Sequence, residues 1–76
     1  MNLSMLNAKI EQSTVSKTHI AEALGLTRMG LLNKLKGDRE FKSSEIRIIS
    51  DILKLTPSER DAIFFADYVD KTSTNS

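Results

Sequence analysis

The segment Gly25-Leu26-Thr27 narrows what this chain can fold into more than any other feature, because it separates two short helical stretches. Ahead of it, Ser16 is a natural N-cap, whose hydroxyl can accept from an otherwise unpaired amide of the first turn. Val15 and Ile20 occupy the two positions of a hydrophobic staple around that cap. Ile20, Ala21 and Leu24 then make a narrow apolar stripe, closed by Gly25 where a left-handed residue ends a helix. Behind the segment, Thr27 caps a second helix that turns Leu31 and Leu35 inward and stops at Gly37 by the same device. A turn this short implies a large crossing angle. The small side chain of Ala21 lets the second helix pack closely across the first, with Leu26 and Leu31 closing the junction.

The remaining sequence reads as three more helices. The first runs from about Leu3 to Glu11, with Leu3, Leu6 and Ile10 on one face, and Gln12-Ser13-Thr14 follows as a polar link. After Gly37 comes a charged loop, Asp38 to Lys42, pinned by Phe41. Ser43 or Ser44 is expected to cap a fourth helix with the stripe Ile46, Ile49, Ile52 and Leu53. Thr56-Pro57-Ser58-Glu59 combines a capping box with proline at the first helical position, where its missing amide costs nothing. It opens a fifth helix through Ile63, Phe64 and Phe65, toward Tyr68. No alternating strand pattern of useful length is present. The expectation is an all-α, compact five-helix domain over residues 1–70, with a polar tail at 71–76.

Several function classes are disfavoured. The chain has no cysteine, which removes disulfides and thiolate metal sites, and its one histidine, His19, cannot make a zinc site alone. No metal and no cofactor are expected. A chain of 76 residues encloses one small core, with no room for a deep cleft and its supporting shells. No Ser/His/Asp spacing specifies a catalytic triad, so an enzyme is not expected, nor is a small-molecule ligand. No apolar run approaches the roughly 20 residues that span a bilayer. Met1-Asn2-Leu3-Ser4 lacks the features of a secretory signal. A cytoplasmic, nucleoid-associated location is the resulting expectation.

The net charge is +1, which by itself announces no polyanionic partner. The distribution is more useful: residues 1–42 carry +3 and residues 43–76 carry −2. Arg28, Lys34, Lys36, Arg39 and Lys42 crowd one segment against only Asp38 and Glu40. A solvated mixed-charge face is the alternative explanation. With Leu31 and Leu35 buried, Met29, Asn33 and Lys36 fall on the opposite side of their helix, Arg28 projects from its start and Leu32 lies at the boundary. A major groove admits one such helix, whose first turns reach base edges. Arg28 can bond two acceptors of guanine, Asn33 can bond adenine in bidentate fashion, and Met29 and Leu32 can meet a thymine methyl. Thr27 at the helix start, Ser16 and Lys17 at the start of the preceding helix, and Lys34, Lys36, Arg39 and Lys42 are candidate phosphate contacts.

The stretch Ser16 to Gly37, SKTHIAEALGLTRMGLLNKLKG, resembles the helix-turn-helix of the phage repressor and Cro family. The matching positions are Ile20-Ala21, Gly25-Leu26-Thr27, Leu31 and Gly37, and Phe41 through Ile63-Phe64 looks like the last two helices of small phage-type regulators. The resemblance covers about residues 3–66 and implies a lambda-repressor-like fold. It also implies base contacts at the positions of Arg28, Met29 and Asn33, and a phosphate contact at Lys17. Gly30 and Leu32 stand where hydroxyl residues are frequent in that family. The implied partner is a double-stranded, palindromic operator bound by a homodimer. Phe65, Tyr68 and Val69 are candidates for the dimer contact, or they merely cover the core. A second class remains open: a protein-interaction module, antirepressor-like or antitoxin-like, using Met29, Leu32 and the aromatic C-terminal segment.

Overall fold

The computed structural model describes residues 1–65. Five helices are present among them: α1 Leu3–Gln12, α2 Lys17–Leu24, α3 Arg28–Lys36, α4 Ser43–Ile52 and α5 Pro57–Phe64. The described residues contain no strand. The expected domain end at residue 70, the tail, and Tyr68 and Val69 lie outside the described residues.

Each helix contributes one side chain fully withdrawn from solvent: Leu6, Ile20, Leu31, Ile49 and Ile63. Each of these five anchors contributes about 1.5–3 kcal/mol through burial of its aliphatic side chain. Ile10, Ala21, Leu35, Phe41 and Phe64 complete the core. Phe41 is not helical; it plugs the core from the α3–α4 loop, edge-on to Phe64 with centroids 5.8 Å apart. Leu26, Ile46, Ile52 and Leu53, expected inside, are only partly buried and pack around the rim. Helix α2 is the hub, packing against both α3 and α4, while α1 packs against α3 and α5.

The helix ends follow local chemistry. Ser16 Oγ accepts from the His19 amide at 3.1 Å, and Thr27 Oγ1 accepts from the Gly30 amide at 3.0 Å. Gly25 closes α2 at φ 72°, with the Leu26 amide reaching back to the Ala21 carbonyl at 2.8 Å. Gly37 closes α3 at φ 94°. The capping box at α5 is complete, since Thr56 and Glu59 each accept from the other's backbone amide. Glu59 also pairs with Lys9, tying α5 to α1. The hydrogen bonds from Lys9 and the Thr56 amide hold the Glu59 carboxyl below its ordinary value.

Three boundaries differ from expectation. Helix α1 extends to Gln12 and is capped by Asn2, whose Oδ1 accepts from the Met5 amide at 3.0 Å. Helix α4 starts one residue earlier than a serine cap requires. Lys42 is its N-cap residue, and Ser43 and Ser44 lie inside the first turn. The cause is Glu45, whose Oε1 reaches back to accept from the Lys42 amide at 2.7 Å. Helix α5 ends at Phe64, with Phe65 as its C-cap. Helix α4 closes on Lys54 at φ 54°, a left-handed conformation held by the Leu55 amide donating to the Ser50 carbonyl at 2.9 Å.

Candidate nucleic-acid interface

Helix α3 turns Leu31, Lys34 and Leu35 inward. Its start faces solvent. Arg28 is exposed, and Met29 is 63% exposed, the highest value among the exposed large apolar side chains described. Leu32 and Asn33 are half-buried at the boundary. By helix geometry the Arg28 and Met29 amides have no intrahelical acceptor, so the start of α3 presents donors outward. The Thr27 hydroxyl accepts within the helix and keeps its own hydrogen to donate.

A groove of about 640 Å³ runs between this end of α3 and the loop leading to α4. Thr27, Met29 and Asn33 form one wall, and Arg39, Glu40 and Lys42 line the other, so two cations flank one carboxylate there. Six of the residues singled out from sequence, Lys34 among them, therefore border one groove. Arg28 and Leu32 do not line it, and neither do Ser16 and Lys17 at the start of α2 or Lys36 at the far end of α3. Lys36 sits 3.5 Å from Asp38 with both side chains well exposed, an arrangement that holds its charge only loosely. Helix N-terminal donors, two loop cations and an amide side chain around one concavity can take an extended polyanion with base-edge groups.

Lys34 departs from expectation. It is not a surface cation: its side chain is 8% exposed, and Nζ lies 2.5 Å from Glu45 Oε1. Nζ also stands 5.9 Å from the Phe41 ring centroid, within cation–π range. It stands at the edge of the arc that Leu31 and Leu35 bury, and an ammonium turned inward there needs a carboxylate. Lys34 thus leaves the set of candidate phosphate contacts. Glu45, which the sequence reading passed over, supplies that carboxylate. Burial pushes the Glu45 carboxyl up. Hydrogen bonds from Lys34 and the Lys42 amide, with the charges of both lysines, outweigh that effect and hold it below its ordinary value. The Lys42-x-x-Glu45 spacing was the available signal, since an acid at the third helical position commonly caps backwards.

Gly30 has a local explanation. A Cβ there would stand 3.2 Å from Thr27 Oγ1 and 3.7 Å from Leu26 Cβ, so the missing side chain makes room for the cap hydroxyl and the turn. Among the candidates for a dimer contact, Phe65 is described and is 39% exposed. The described residues contain no group of three or more His, Cys, Asp and Glu side chains able to hold a metal. None of their helices is long and apolar enough to cross a membrane. No family model, curated protein or solved structure matches this chain.

Proposed function

We propose that the chain is a sequence-specific, double-stranded DNA-binding transcriptional regulator of the phage repressor and Cro type. In this reading α2, the Gly25–Thr27 turn and α3 are the helix-turn-helix of a lambda-repressor-like domain, and α3 enters the major groove. Arg28, Met29 and Asn33 read base edges, with Leu32 at the margin. Ser16, Lys17, Thr27, Lys36, Arg39 and Lys42 hold the phosphates on either side. The observation that carries the reading is the groove itself. The exposed start of α3 and the loop that carries Arg39 and Lys42, beside Asp38 and Glu40, border one concavity, while Leu31 and Leu35 of α3 are spent on the core. A homodimer on a palindrome, with half-sites about 34–36 Å apart, follows from one reading helix per chain.

Selection of bound sequences from a random duplex pool tests this reading. A recovered palindromic consensus, bound with a steep salt dependence, supports it. The 63% exposure of Met29 also suits a protein contact. A pool that yields no consensus, together with a protein partner lost on Met29→Asp, replaces the DNA reading with the interaction-module one.

A further inference from the structure

The loop that carries Arg39 and Lys42 has three anchors. At its start, the Gly37 and Asp38 amides donate back to the Lys34 and Asn33 carbonyls at 3.2 and 2.9 Å. In the middle, Phe41 is buried against Phe64. At its end, Glu45 Oε1 accepts from the Lys42 amide. The same oxygen accepts from Lys34 Nζ, on the last turn of α3. One carboxylate atom therefore joins the end of the loop to the helix before it. This tie spans a pair of helices that lean on each other little, because the main partner of each within this region is α2. Between the anchors, Asp38, Arg39 and Glu40 stand exposed.

A buried ion pair is a poor device for stability, since desolvation offsets much of the attraction and apolar residues of similar volume often serve as well. What it supplies here is geometry. It also neutralises the Glu45 carboxylate, which borders the groove and would otherwise repel phosphate. We propose that Lys34 and Glu45 are the positioning pair of this interface, a buried tie that sets how the loop bearing Arg39 and Lys42 stands against the exposed start of α3. The pair touches no DNA; it acts through the two loop cations. This inference rests on the DNA reading for its consequence, but not for the tie itself.

The decisive variant is Lys34→Met/Glu45→Gln. It leaves the net charge unchanged, approximates both volumes and keeps an amide oxygen for the Lys42 amide, so it removes the cross-helix ion pair, and with it the ammonium over the Phe41 ring, while sparing the cap. In the free chain, exchange of the Asp38 and Lys42 amides, which are hydrogen-bonded at the two ends of the loop, should accelerate by about tenfold while the core amides of α2 stay protected. On the selected operator, the slope of log affinity against log salt should fall by about two, one unit each for Arg39 and Lys42. Unchanged loop exchange in a folded variant overturns the proposal. So does faster exchange with an unchanged salt slope. If the double variant does not fold, Glu45→Asp serves instead, keeping the charge on a shorter arm and read by the same two measurements. A wild-type chain without salt-dependent binding would sink the DNA reading, and the exchange arm would still support or overturn the tie.

Discussion

Replacing Lys34 alone by methionine should be among the most damaging single changes at the edge of this core, and its cost should depend on pH. Methionine fills the space but leaves the Glu45 carboxylate, 7% exposed, without its ammonium. Breaking one partner of a buried pair typically costs about 3–5 kcal/mol. A chain of this length is expected to hold only about 4–11 kcal/mol in all, by per-residue scaling. In the wild-type chain the Glu45 carboxyl is held below its ordinary value, so its contribution is present above that value and is lost as pH falls through the depressed folded one. Without Lys34, burial becomes the larger influence and the folded value should rise above the unfolded one. The sign then reverses. The penalty is absent below the unfolded value, about 4.3, and grows as pH rises through it. The stability gap between wild type and Lys34→Met should thus be widest near neutrality and narrow as pH falls through the carboxylate range. Urea unfolding at a series of pH values measures it, with the slope against urea checked for constancy. A gap under about 1 kcal/mol at neutral pH, or one that does not change with pH, would refute the argument that the ion pair is buried and mutually dependent.

Other consequences are simpler to state. Arg28→Ala and Asn33→Ala should each cost about 1–3 kcal/mol on the selected operator and relax its sequence preference, as read by competition with single-base variants. Lys17→Ala or Lys36→Ala should weaken all sequences alike and lower the salt slope by about one, leaving base preference intact. Gly25→Ala should destabilise by about 1 kcal/mol in urea titration. At φ 72° nothing lies within 4 Å of the added Cβ, so the loss reports the left-handed backbone alone, net of the chain entropy regained. Lys54→Gly, at φ 54° in the equivalent position of α4, should stabilise by about 0.5 kcal/mol, reduced by the loss of a cation at a helix C-terminus. If both changes move stability in the same direction, the left-handed helix ends are not what limits them.

The legible parts of this chain are those decided within about four residues. Ser16, Thr27 and Thr56 cap α2, α3 and α5, and Gly25 and Gly37 close α2 and α3, because a hydroxyl beside orphan amides and a residue without a Cβ solve problems local to a helix end. The inward faces of α1, α2 and α3 were readable from periodicity, which is how Leu6, Ile20 and Leu31 were placed in the core. The exposure of Arg28 and Met29 followed, since burying Leu31 and Leu35 leaves the start of α3 outside.

Tertiary structure decided the rest. Lys34 lies about 60° around the helix from Leu31, on the edge of the buried arc, so periodicity allows it either side and its charge argues for outside. Only the approach of α4 supplies the carboxylate that makes burial tolerable, from a residue 11 positions along the chain. The same carboxylate moved the N-cap of α4 to Lys42, against two serines that local preference favours. The Gly25–Thr27 turn was determined by the sequence itself. The groove beside it, with the loop cations as its second wall, was not. A turn is closed by neighbouring backbone groups, whereas a groove exists only where separate helices come to rest.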